Sequence, residues 1–180
     1  MTTSLTPRDL TTLDLSDSYK YSVGPYVALH LCRSRFMVYN TGDVLNAEKS
    51  CEWITRAITC LSENDSVIAA CPVWNHNLVE ARDECHVLHD DYGLGYGFSD
   101  QLFLCKPDVM RTLSQHEYHP SSSRYPVYVQ NGFERRIDSV MRKESLLRYV
   151  DFRCNYLHES FPSGWKRRLL TVLTFTRLNR

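Results

Sequence analysis

The chain has no long apolar run and no excess of charge of either sign. Its 180 residues carry 21 Lys plus Arg against 21 Asp plus Glu, so overall charge points to no polyanionic partner, and no nucleic acid is expected. Apolar stretches last only a handful of residues, short of the roughly 20 that a membrane-spanning helix needs. Glycine and proline are scarce at seven each, which excludes collagen-like and linker-dominated chains. No apolar core follows Met1, so the first residues do not read as a secretory signal. The expected location is cytoplasmic. Also missing are the C-x-x-C pair, Gly-x-Ser-x-Gly, the Walker sequence and His-Glu-x-x-His, which leaves the common zinc, serine-hydrolase and P-loop chemistries without a motif.

What is present describes a folding chain. A hydrophobic fraction of 43% with 23% charged residues suits one domain over residues 1–180, with a core of useful size. The seven cysteines are odd in number and irregular in spacing, and several fall on apolar faces. Reduced thiols acting as small hydrophobes are expected, not a disulfide framework. The balanced charge hides an asymmetry: residues 133–180 carry a net +6 and residues 1–132 a net −6. The tail Trp165–Arg180 has five basic residues and no acid. Contact with nucleic acid or, peripherally, with an anionic membrane surface is one reading of that tail, and a solvated terminal element is the other.

Periodicity predicts the elements. Residues 1–24 read as an irregular lead-in, and Tyr26–Cys32 as a helical segment. Phe36–Tyr39 is a buried strand ending in the turn Asn40-Thr41-Gly42-Asp43, where Gly42 is expected to let the backbone turn. A helix follows, capped by Asn46, with Ala47, Cys51, Ile54, Ile58 and Leu61 facing inward. Val67–Val73 is a second buried strand, so the order is that of a βαβ unit. Residues 75–97 look polar and irregular, closing on Gly93, Gly95 and Gly97, whose spacing permits close approach to a ligand. Leu102–Cys105 is a short strand and Pro107 opens a helix. After a Pro/Ser-rich loop, Tyr125–Val129 reads as a strand whose Pro126 puts it near a sheet edge or at a strand start. Glu134 to about Leu147 is a helix with Ile137, Val140 and Met141 inward. Val150–Tyr156 alternates as a strand with one wet face that includes Asp151. The expected class is α/β, with a mixed central sheet and flanking helices.

Several polar residues sit where chemistry is usually placed. Asp43, at the end of a buried strand, suits a hard cation such as Mn²⁺ or Mg²⁺, or else caps a turn. Asp100 and Gln101 precede a strand and follow the glycines. A carboxylate there accepts a sugar hydroxyl or serves as a base while the amide reads a second hydroxyl, or the pair merely caps a turn. Glu134 opens a helix, where the macrodipole favours the ionised form. His158 ends a strand, as a metal ligand or a surface residue. A rival zinc set is Cys71, His76, Cys85, His86 and His89, with no finger spacing. Trp74 beside Asn75, together with Tyr92, Tyr125 and Tyr128, suits stacking on sugar rings, or core packing.

Taken in order, the strand ending in an acid, the strand ending Pro72-Val73-Trp74-Asn75, Gly97-Phe98-Ser99-Asp100-Gln101, Tyr125-Pro126-Val127-Tyr128, Phe133-Glu134 and Tyr156-Leu157-His158 form one pattern. It resembles the catalytic half of GT-A-fold glycosyltransferases, from Phe36 to His158. The resemblance implies a core for nucleotide-diphosphate sugars, truncated at its N-terminal nucleotide-binding half, with Thr41 standing where the first acid of the usual pair belongs. It implies metal-assisted transfer of a sugar from a nucleotide-sugar donor to a glycan or lipid-linked acceptor, as in polysaccharide biosynthesis. Asp43 and His158 would then be the metal ligands for Mn²⁺ or Mg²⁺, with Asp100 or Glu134 as the catalytic carboxylate. Trp74, Asn75, Gln101, Tyr128 and Asn131 would bind substrate. The alternative is a non-catalytic glycan-binding or protein-interaction domain on a degenerate scaffold of the same kind.

Overall fold

The computed structural model describes residues 19–46, 52–114, 116–125 and 132–158. The expectations for residues 1–18, for a strand at 126–129, for Tyr128 and Asn131, and for the tail 165–180 lie outside them. In chain order the elements are α1 (Tyr19–Leu31), β1 (Met37–Asn40), β2 (Val44–Asn46), α2 (Glu52–Glu63), β3 (Val67–Trp74), α3 (Leu78–Asp83), β4 (Cys85–Leu88), β5 (Tyr92–Gly95), β6 (Leu102–Cys105), α4 (Pro107–Thr112), a 3₁₀ turn (Pro120–Arg124), α5 (Phe133–Glu144) and β7 (Leu147–His158). The molecule is an α/β protein with an open mixed sheet flanked by helices.

The sheet runs β1-β6-β3-β7-β5-β4, and β2 adds to β7. Among the described strands, β3 and β7 pair in parallel and the other pairings are antiparallel. Since β6 is antiparallel to both β1 and β3, those two run the same way, and β1-α2-β3 is the expected crossover with β6 inserted between its strands. Helices cover both faces. Tyr26 and Leu29 of α1, Met110 of α4 and Phe133, Ile137, Val140 and Met141 of α5 bury one face against Ile68, Ala69, Phe103 and Cys105. On the other face, Trp53, Ala57 and Leu61 of α2 pack on Val67, Ala70, Leu102, Leu104 and Tyr149. The four residues of β6 are all buried, so its unbroken apolar run reflects a strand covered on both sides.

Some expectations change. Residues 19–24 are helical, so the lead-in ends earlier and α1 passes through Pro25. Packing overrides the breaker: the Phe133 backbone N–H donates to Ser22 Oγ at 2.9 Å, and the Tyr26 and Phe133 rings meet edge-on at 4.9 Å. Asn46 belongs to β2, and the expected first turn after it, with Ala47 and Cys51, lies outside the described residues. The buried stripe of α2 is Trp53, Ala57 and Leu61, a turn of the helix by one position that leaves Ile54 and Ile58 at its border. Residues 75–97 are not irregular, since they hold α3, β4 and β5. Tyr125 lies in a bend. Asp151 is fully buried, not on a wet face. Its Oδ2 accepts from Arg56 Nε at 2.7 Å and from the Tyr149 hydroxyl at 3.2 Å, which satisfies the carboxylate inside. The six described cysteines form no disulfide, and among the described residues no helix is long and apolar enough to cross a membrane.

Candidate functional site

Antiparallel pairing puts the ends of β1 and β3 beside the start of β6, and the parallel β3-β7 pair brings the end of β7 to the same edge. Four segments therefore meet there: 40–43, 74–77, 98–101 and His158. The backbone N–H and hydroxyl of Thr41 both donate to the Gln101 carbonyl, at 2.9 and 3.3 Å. Strand β2 then pairs Val44 with His158, which sets Asp43 against the imidazole. His158 Nε2 lies 3.0 Å from Asp43 Oδ2.

Asn75 holds the other side of His158. Its side-chain amide donates to the His158 carbonyl at 3.2 Å, while its Oδ1 accepts from the His158 N–H at 2.9 Å. Asn75 has φ 46° and His76 φ 58°, the left-handed region that asparagine tolerates better than most residues. Both polar atoms of the Asn75 amide are thus engaged in joining β3 to β7. Gly42 is not needed for its turn: its φ is not positive and a Cβ there would meet nothing within 4 Å.

The three nominated polar residues Asp43, Asp100 and His158 act on one another. Burial pushes the Asp100 carboxyl up to about 6, its backbone hydrogen bond and His158 pull it down, and Asp43 raises it. Burial also acts upward on Asp43. There the Thr41 hydroxyl, a backbone N–H and His158 outweigh it and hold the carboxyl below its ordinary value. Two carboxylates at one site, one held ionised and one close to neutrality, is the arrangement that separates a cation-binding or anchoring acid from a proton acceptor. Asp43 Oδ1 is buried with no hydrogen-bond partner among the described residues, an orphan that a cation would satisfy. Asp43 and His158 offer the donor types that Mn²⁺ accepts. Among the described residues, however, no group of three or more His, Cys, Asp or Glu converges on one point, the rival zinc set included. An ion here would take its remaining donors from water or a bound ligand.

Beside this cluster, on the α5 face, lies a cavity of about 390 Å³. Trp74, Gln101 and Glu134 line it, whereas Asp43, Asp100 and His158 do not. Asp100 and Gln101 straddle the boundary: the first belongs to the carboxylate cluster, the second to the cavity. Glu134, in the first turn of α5, is pushed well above its ordinary value by burial and by Asp100, against the pull of Arg124 and Arg148. The Tyr125 hydroxyl accepts from the Phe98 N–H and donates to the Phe98 carbonyl, both at 2.9 Å, fixing another part of the wall. Tyr92, by contrast, stacks on Tyr149 at 5.1 Å and belongs to the α2-side core.

Sequence reasoning missed the charged floor of this cavity. Arg148 and Arg124 both bind Glu84, and the three pack over Gly97. Glu84 lies 64 residues from one partner and 40 from the other, so no local pattern pairs them; the one signal was the glycine at position 97. No protein-family model matches the chain, and no curated protein matches it.

Proposed function

We propose that the chain is a metal-assisted glycosyltransferase with a GT-A-like core, moving a sugar from a nucleotide-diphosphate donor to a glycan or lipid-linked acceptor. The observation that carries this reading is the meeting of Asp43, Asp100 and His158 at one sheet edge, beside a cavity that Trp74, Gln101 and Glu134 line. Asp43 and His158 would hold Mn²⁺ or Mg²⁺, which when bound offsets the negative charge of the leaving diphosphate. Asp100 acts as the base. A carboxyl poised near 6 is ionised at neutral pH yet basic enough to take the acceptor's hydroxyl proton. That oxygen then bonds to the anomeric carbon as the bond to the diphosphate oxygen breaks. Trp74 offers a face to the sugar ring and the Gln101 amide a hydroxyl partner.

A second reading has one observation in its favour. Asp43 already pairs with His158, and no third ligand converges on them among the described residues, as in a scaffold that binds glycans without transferring them. A calorimetric titration with a panel of nucleotide diphosphates, with and without Mn²⁺, separates the two. Metal-dependent binding of one nucleotide is the expected result. Glycan binding with no nucleotide binding favours the binding module.

A further inference from the structure

The cavity wall is closed in charge but open in hydrogen bonding. Arg148, on β7 and 7% exposed, donates from Nη2 to Glu84 Oε2 at 2.5 Å and to the Tyr96 carbonyl at 3.4 Å. It also hydrogen-bonds the Cys71 thiol. Arg124 gives Nη1 to the other Glu84 oxygen and Nη2 to the Tyr125 hydroxyl. Both guanidinium groups are therefore spent on the protein itself. At the exposed rim, Glu80 accepts from the Asn77 amide at 2.5 Å. Three carboxyls, Glu80, Glu84 and Glu134, stand in the wall with the two guanidinium groups, so it sums to zero or to one negative charge, according to the proton on Glu134. An anion finds no free cation there, and an ammonium meets Arg124 and Arg148 beside the carboxyl it would seek. Burying an ion of either sign without a partner is costly.

Two polar groups of the wall have no such partner. Among the described residues nothing hydrogen-bonds the Glu134 carboxyl or the Gln101 side-chain amide, and both residues line the cavity. A hydroxyl suits Glu134 in either state, since it donates to the carboxylate and accepts from the protonated acid. The Gln101 amide likewise both donates and accepts, so a ring carrying several hydroxyls can satisfy the two. The Trp74 ring, 42% exposed, adds an apolar face to the same wall. At about 390 Å³ the space falls within the range of small-molecule sites. Asp43, Asp100 and His158 stay outside it, with Asp100 next to Gln101 at the boundary.

We infer that this cavity holds an uncharged sugar ring, the acceptor's, with its hydroxyls on Glu134 and Gln101 and one face on Trp74. That the ring is uncharged follows from the wall alone. Its assignment to the acceptor rests on the glycosyltransferase reading. In that reading the donor's diphosphate stays at the Asp43–His158 edge, where a cation offsets its charge, and Asp100 stands between the two substrates.

Saturation-transfer NMR titrations of the whole chain, without nucleotide or metal, test it with glucose, galactose, mannose, glucuronate and glucosamine. They are run at about pH 6, where the amine is protonated and the uronate ionised. At least one of the three neutral hexoses binds, at least about tenfold more tightly than either charged sugar. Trp74→Ala and Glu134→Ala each weaken that hexose by about tenfold. Glu134→Gln, whose amide still meets a hydroxyl, stays within about threefold of the wild type. Circular dichroism checks that the variants fold. No binding of any neutral hexose, or a charged sugar bound as tightly, overturns the inference on the wild type alone. So does unchanged hexose binding by folded Trp74→Ala and Glu134→Ala proteins. Uridine diphosphate with Mn²⁺, titrated in parallel, keeps the two ideas apart. Its failure with hexose binding intact removes the transferase reading and leaves the neutral-sugar site standing, whereas hexose failure with uridine diphosphate bound removes this inference alone. Displacement of the hexose by uridine diphosphate gives the cavity to the nucleotide and overturns the acceptor assignment.

Discussion

His158 Nε2 and Asp43 Oδ2 stand 3.0 Å apart although 115 residues separate them in the chain. The contact follows from strand register. Val44 pairs with His158 across β2 and β7, so the residue just before Val44 must lie near the imidazole. Asn75 locks the His158 backbone from the β3 side with two hydrogen bonds. The pair is thus set by backbone geometry, and Asp100 feels both partners.

Asp100 gives a pH prediction with a definite sign. Its folded value of about 6 lies above its ordinary 3.8, so the folded chain binds the extra proton between those two pH values. Its contribution to stability is fullest below about pH 4, falls as pH rises through 6 and is level above that. Asp100→Asn removes the penalty. The variant is more stable than the wild type at pH 7 by at most about 3 kcal/mol, and the gain shrinks toward zero near pH 4. Thermal melts across pH 4 to 8 check this, and a variant less stable at pH 7 contradicts it. In the proposed reaction the same substitution lowers turnover by about 10²–10⁴-fold.

Arg56 neutralises a carboxylate that water cannot reach. Asp151 is 0% exposed, so Arg56→Met leaves a buried anion held by only the Tyr149 hydroxyl and the Arg153 N–H. The cost is about 3–5 kcal/mol, which thermal denaturation reads as a fall of roughly 10 °C. The exposed pair Arg153–Asp91, at 3.0 Å with 45% and 55% exposure, is the control. Asp91→Ala changes stability by less than about 1 kcal/mol.

Gly97 is constrained twice, by a φ of 100° and by the charged tips over it. Gly97→Ala costs about 1–3 kcal/mol and disturbs the Arg124–Glu84–Arg148 contacts. Gly42→Ala, with open space and no positive φ, leaves the melting temperature within a degree or two by the same reasoning. Equal melting temperatures for the two variants would show that the cavity floor tolerates a side chain.

Elements with clean apolar signals were legible. Leu102–Cys105 is covered on both faces and reads as an unbroken run, and α5 carries Ile137, Val140 and Met141 at helical spacing. The β4-β5 hairpin was not legible. The buried positions of β5 are Gly93 and Gly95, which leave no apolar alternation, and β4 lies at the sheet edge with His86, Val87 and Leu88 exposed. Helix α1 was cut short because residues 1–24 show no sustained apolar period, whereas tertiary packing on Phe133 holds residues 19–24 in the helix and carries it through Pro25. Asp151 looked wet because alternation marks a face without showing that Arg56 of α2 covers it. At the site, Asp43, Asp100 and His158 were nominated from strand ends, and topology brings those ends together. The Arg124–Glu84–Arg148 group was hidden because each residue is ordinary in its own neighbourhood.

The most direct test of the proposed site is calorimetric binding of the preferred nucleotide diphosphate to wild type and Asp43→Asn, each with and without Mn²⁺. Asparagine keeps the size and one acceptor oxygen but loses the charge that would hold a cation. The account predicts Mn²⁺-dependent binding by the wild type and loss of that dependence, by about tenfold or more in affinity, in a variant that melts within about 1 kcal/mol of the parent. Nucleotide binding that is equally Mn²⁺-dependent in both proteins would reduce Asp43 to a turn residue paired with His158 and contradict the metal-assisted reading.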